Sequence, residues 1–162
     1  SSKLQFLGFE AEITESEVTG LDRFKYNREK PFEKEVTYYN NFKPTERIDI
    51  PKAYLIPQAW WKVKNLLTAN KIKMQVLEKD SIIIAEAYYI DDFETVENAY
   101  EGHYLHFNTK VITKKVRVKA RKGDIIVPTD QRGLKYLMET LEPQAMDSFF
   151  NWNFFDGILQ QK

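Results

Sequence analysis

The chain contains no cysteine, only two histidines and six scattered glycines, and its 24 basic and 24 acidic residues cancel to a formal charge of +0. Without cysteine there can be no disulfide framework, thiolate metal site or cysteine nucleophile, and a chain of this size can do without disulfides in any compartment. Without a net charge, composition points to neither a polyanionic nor an acidic partner. No glycine-rich phosphate loop, no G-x-S-x-G elbow and no serine with a matching His and Asp occurs. No apolar run approaches the ~20 residues of a membrane helix, and the opening SSKLQFLGFE lacks the basic and then apolar order of a signal peptide. The chain opens on Ser1 rather than Met, so a piece of a longer protein is expected.

What is present suits a folded domain. The 162 residues are 43% hydrophobic and 14% aromatic, and a chain of that length removes roughly 70% of its unfolded surface from water. No repeat, low-complexity tract or linker interrupts it, so residues 1–162 are expected to form one domain. Leu7, Phe9, Ala11 and Ile13 alternate with polar or small residues, which predicts a strand. Residues 14–34 look like a long surface loop, and 35–39 and 47–50 like short strands, with Pro51 marking an edge. From Pro57 to Asn70 the apolar positions Ala59, Trp60, Val63, Leu66 and Leu67 predict a helix capped by a left-handed Asn70, within a strand–helix–strand unit able to join parallel strands.

Ile82–Ile90 is apolar on both faces apart from Glu86, as in a central strand covered above and below. Lys122-Gly123-Asp124 should turn a strand ending near Ala120 into a hairpin with Ile125–Val127. Leu134, Leu137, Met138 and Leu141 predict a helix behind Asp130, and Ala145–Leu159 a last helix that is aromatic nearly all round. The fold class expected is α+β: mostly antiparallel β-sheets, sandwich-like, with one early helix and two C-terminal helices packed on them.

Chemistry is thinly signposted. His103 and His106 have a spacing that would share a metal on a helix, but the segment reads as strand, where side chains three apart diverge and no third ligand stands at motif spacing. Asp91, Asp92, Glu94 and Glu97 lack the glycine and spacing of a calcium loop and read as a solvated acidic stretch. An independent enzyme would have to work through Asp91 or Asp92 in a deep pocket. Residues 78–101 carry eight acids against one base and residues 110–122 seven bases and no acid. Adjoining blocks of opposite sign predict neighbouring strands with cross-strand charge pairs rather than a nucleic-acid surface. Trp60, Trp61, Tyr100 and His103 are the candidates for an aromatic groove able to stack on a sugar or peptide.

The segments IPKAYLIPQAWWKVKNLLTANKIKM, YEGHYLHFN and GDIIVPTDQRGLKYLMETLEPQAMDSFFNWNFFDGILQQ, and above all VPTDQ (127–131), LEP (141–143) and FNWNFFD (150–156), resemble the C-terminal region downstream of the catalytic domain in bacterial zinc carboxypeptidase-like proteins of the carboxypeptidase A type. That resemblance implies a secreted or periplasmic protein whose zinc is held by H-x-x-E and a later His in a preceding catalytic domain. His103-Tyr104-Leu105-His106 does not supply that pattern, so no catalytic or zinc role carries over and no cofactor is expected here. The expected role is a non-catalytic accessory domain that supports or caps its own N-terminal catalytic domain, with Phe149, Phe150, Trp152, Phe154 and Phe155 as the contact. The alternative is a carbohydrate- or cell-wall-peptide-binding module.

Overall fold

The computed structural model describes residues 1–44 and 46–160. The chain divides into two compact units, Ser1–Ile48 and Asp49–Lys162.

The first unit is a two-stranded antiparallel ribbon of β1 (Ser2–Glu15) and β2 (Asp22–Tyr38). The turn between them is organised by Ser16, whose Oγ accepts from Thr19 N at 3.3 Å while its carbonyl accepts from Gly20 N at 2.8 Å. Gly20 takes φ +68°, a left-handed conformation that costs glycine nothing. Further up, Gly8 lies opposite Phe32, and a methyl at Gly8 would stand 2.6 Å from Phe32 Cζ, so the ring covers the backbone there. The loop expected over 14–34 is therefore mostly strand. Its period-two signal is lost at the register break between Phe9 and Ala11, and little of either face is buried. Residues 47–50, expected as strand, are irregular.

The second unit is built on a small sheet of β3 (Ala53–Ile56), β4 (Gln75–Val76) and β7 (Ile125–Pro128), in the order β3-β7-β4 with both pairings antiparallel. β3 and β4 thus run parallel to each other with β7 between them. Tyr54 pairs with Val127 and Ile56 with Ile125, which puts these four side chains on one face. Onto that core come Val63 and Leu67 of α1 (Trp61–Ala69) and Leu137 and Leu141 of α2 (Leu134–Leu141), each pair one helical turn apart, with Ile72 and Phe149. α1 starts a turn later than its apolar stripe suggested. It ends in a Schellman arrangement, with Ile72 N donating to Leu67 O at 3.0 Å and Lys71 N to Thr68 O at 2.9 Å. The left-handed residue is Lys71 (φ 58°), not Asn70 (φ −85°).

β5 (Ser81–Thr95) and β6 (His106–Ala120) form a second antiparallel ribbon. Its register sets the acidic block against the basic one, with Glu86 opposite Lys115 and Asp92 opposite Lys110. The Lys110 ammonium reaches Asp92 Oδ2 at 2.9 Å and holds that carboxyl below its ordinary range, by hydrogen bond first and charge second.

The sandwich expectation is overturned. Within the second unit, among the described residues, β5 pairs with β6 alone, and its Ile82 and Ile84 are 67% and 66% exposed, so it is not a central strand. Nor does β6 continue into a hairpin with β7. Asp124, buried, accepts from Arg121 N at 2.7 Å and Gln58 N at 2.9 Å, and Lys122 N donates to Asp80 Oδ1 at 2.9 Å. These bonds turn the chain out of the ribbon and into the small sheet.

The two C-terminal helices reduce to one. α2 forms, with Gly133 rather than Asp130 at its N-cap position, but 145–159 is a chain of turns ending in a 3-10 turn at Asp156–Ile158. Polar side chains compete with the helix there: Ser148 Oγ donates to Pro143 O and accepts from Asn151 N, both at 3.1 Å, and Asn151 Nδ2 donates to Ala145 O at 2.9 Å. Asn153 adopts φ 65°, which no helix interior accommodates.

Candidate functional site

The turn segment 142–160 gathers most of the residues singled out from the sequence. Phe149 and Phe150 lie within this unit's own interior, 4% and 1% exposed. Phe155 meets Trp60 edge-on with ring centroids 5.0 Å apart, which accounts for the half-burial of both rings. Trp61, one residue on, is exposed and shares no ring contact with the others.

Tyr100 and His103 are brought to the same segment by a two-residue turn. They exchange both backbone hydrogen bonds at 2.9 Å, and the residues between them, Glu101 and Gly102, have φ 49° and 81°. Two successive positive φ values are those of a type I′ turn, the kind that matches strand twist. Standing opposite each other, Tyr100 and His103 close on Trp152, at centroid distances of 6.4 and 5.5 Å, and His103 also stacks on Phe154 at 6.2 Å and 22°. Tyr100 is more than half exposed. The result is a surface cluster of Tyr100, His103, Trp152 and Phe154, with Trp60 and Trp61 elsewhere. Glu101-Gly102 between two aromatic positions was a usable signal for this turn, and was not read as one.

Two buried polar groups, His106 and Glu142, are each held by side chains distant in sequence. His106, at the start of β6, is held at Nδ1 by the Thr95 hydroxyl (2.9 Å) and at Nε2 by Asp156 Oδ1 (3.1 Å), with Phe93 and Phe150 against its ring. Nε2 thus faces both the Asp156 carboxylate, which can only accept, and the Asn153 amide nitrogen at 3.2 Å, which can only donate. The amide of Asn153 donates to Tyr104 O at 2.9 Å, closing the strand onto the turns. Glu142, 2% exposed, accepts from Tyr88 at Oε2 (2.7 Å) and from Tyr54 at Oε1. Burial first, and the Glu142 carboxylate second, push both phenols well above the usual tyrosine range. Neither cluster was visible from the sequence, because Asp156 lies 50 residues from His106 and Glu142 lies 54 and 88 residues from its two tyrosines.

His103 and His106 do not converge, as one rests on Trp152 and Phe154 and the other is committed to Thr95 and Asp156. Among the described residues no three His, Asp or Glu side chains stand close enough to hold a metal ion. Asp91, Asp92, Glu94 and Glu97 are all exposed, and Lys110 and Asn108 bind Asp92 and Glu94. Among the described residues no helix is long and apolar enough to cross a membrane.

Comparison with known proteins places the chain at a distance from carboxypeptidases. Over 100 residues, 61% of this chain, it is 29% identical to Carboxypeptidase 2 of Trichophyton tonsurans, and 29% and 28% identical to the proteins of the same name in Trichophyton equinum and Trichophyton rubrum. The matched stretch is 18% of each of those proteins, so the chain spans only a small part of the relatives it matches. No family model matches, and no solved structure matches. The likeness supports a carboxypeptidase-related chain; those relatives are fungal, and the bacterial origin expected from the sequence is not supported by them.

Proposed function

We propose that this chain is a non-catalytic accessory domain of a secreted or periplasmic carboxypeptidase-type protein, supporting or capping a catalytic domain elsewhere in that protein that holds the zinc. The observation that carries this reading is the match to less than one fifth of each Carboxypeptidase 2 relative. The polar side chains add to it. His106, Asp124, Glu142, Ser148 and Asn151, the buried groups that chemistry would draw upon, are each tied into hydrogen bonds within this chain. Groups so engaged hold turns and strands in place. Trp152 and Phe154, half-buried at the surface, are the aromatic residues of the FNWNFFD segment best placed to meet a neighbouring domain. The test compares the intact parent with the same protein lacking residues 1–162. A lower melting temperature or altered peptide turnover in the shortened protein is expected, and identical values for both sink the reading.

The exposed Tyr100 beside Trp152 and His103 favours a second reading, a module that stacks on cell-wall peptide or carbohydrate. Retention by insoluble peptidoglycan that disappears in Trp152→Ala would support it. Absence of retention, together with silence on a glycan array, would dispose of it.

A further inference from the structure

Between the end of α1 and the start of α2 lies a hollow of about 380 Å³ whose lining includes Lys71, Lys73, Gln131, Arg132 and Gly133 and no acidic residue. Three cations, Lys71, Lys73 and Arg132, line it, and among the described residues none of them takes part in an ion pair. The arrangement is fixed by the Gln131 side chain, whose Oε1 accepts from Lys73 N at 2.9 Å and whose Nε2 donates to Lys73 O at 3.2 Å. This two-way bond ties the segment bearing Lys73, just before β4, to the loop bearing Arg132. Lys71 is brought to the rim by its left-handed turn after α1. At Gly133 the backbone passes so near the Ile72 side chain that an added methyl would lie 2.2 Å from Ile72 Cδ1, and no side chain caps α2. The floor of the hollow thus adds the positive end of a helix to three side-chain charges.

We propose that this hollow binds a small oxyanion, the phosphate or carboxylate group of a ligand. A guanidinium and two ammonium groups on one acid-free lining suit a group with two or three oxygens. The ligand's source separates by experiment. Inorganic phosphate and a pair of short peptides, one with a free C-terminal carboxylate and one amidated, are titrated into the full chain at low ionic strength by calorimetry and by backbone amide NMR. Saturable binding of phosphate, or of the free-acid peptide but not its amide, is expected, with amide shifts centred on 131–134. Arg132→Gln and Lys73→Gln should each weaken it about tenfold, the scale of one charge-assisted contact, and Arg132→Lys should weaken it less than Arg132→Gln. All three side chains are exposed, so the variants keep the fold, which the unchanged remainder of the spectrum verifies. No saturable binding of any probe, or binding that these variants leave intact, overturns the proposal.

Discussion

Tyr88 in β5 donates to Glu142 just beyond α2 at 2.7 Å, joining the second ribbon to the helix end by one short bond into a buried carboxylate. Tyr54 in β3 donates to the other oxygen, so a single acid holds three elements together. Ionising either phenol would place two negative charges side by side away from water. In the folded chain both tyrosines therefore keep their protons beyond the usual range, while in the unfolded chain they lose them near pH ~10. Raised folded values mean that stability is fully present below about pH 10 and is lost as pH rises above it, where the unfolded state binds fewer protons. Urea midpoints measured from about pH 8 to 11 should fall in the upper part of that span, and Tyr54→Phe with Tyr88→Phe should flatten the fall. An equal fall in the double variant contradicts the assignment.

His106 has both ring nitrogens engaged, Nδ1 with Thr95 and Nε2 with Asp156 and the Asn153 amide. Asp156→Ala removes one of the two partners of the buried Nε2 and should lower stability by about 1 kcal/mol, the lower part of the range for an orphaned group because the Asp156 side chain is 42% exposed and water can reach the gap. Chemical denaturation reads this directly, and a change below about 0.3 kcal/mol would show that solvent already satisfies the imidazole.

The turn at Glu101-Gly102 holds Tyr100 and His103 on Trp152, yet its first central position carries a glutamate at φ 49°. A type I′ turn favours asparagine or glycine at that position, because a side chain bearing a Cβ and no local hydrogen bond is strained there. Glu101→Asn should stabilise the second unit by about 0.5 kcal/mol and sharpen the Trp152 indole signal in NMR spectra. A loss of stability would mean that Glu101 makes a favourable interaction outweighing the strain.

Which parts of this were legible in the sequence follows from where burial lies. α2 was readable because Leu137 and Leu141 do face a core, and the charge blocks were readable because β5 and β6 set them directly opposite each other. The ribbons misled for the complementary reason. Ile82 and Ile84 are apolar yet exposed, and β2 carries charge on a strand with little to bury, so hydrophobic pattern no longer marks inside from outside. The aromatic run 149–155 has the hydrophobicity of a buried helix, but Ser148, Asn151 and Asn153 spend their side chains on backbone groups and break it into turns. Of the candidate residues, Tyr100 and His103 do come together, with Trp152, whereas Trp60 and Trp61 sit apart from them. The cationic hollow left no mark at all, since Lys73 and Arg132 meet only once the sheet and helices have formed.

Gly133 is required by space, not by backbone conformation, since its φ is an ordinary −77°. A methyl there meets Ile72 Cδ1 at 2.2 Å, and Ile72 is buried in the core and cannot simply swing outward. Gly133→Ala should therefore destabilise by about 1–3 kcal/mol, the usual cost of overpacking. Pairing it with Ile72→Val, which removes that methyl, should recover part of the loss. No recovery would place the strain elsewhere.

Lys71 pits local stability against charge. A left-handed lysine after α1 costs roughly 1–2 kcal/mol relative to glycine in the same conformation, while glycine's greater freedom in the unfolded chain takes back about 0.4–1 kcal/mol. The difference leaves Lys71→Gly more stable by about 0.5–1 kcal/mol, readable as a higher urea midpoint. The same substitution removes one of the three cations of the hollow, so affinity for phosphate should drop as stability rises. Opposite movement of the two quantities in one variant would mean that lysine holds this position for its charge and at the expense of the turn; a variant that is more stable and binds phosphate unchanged would take Lys71 out of the site and leave Lys73 and Arg132 to form it.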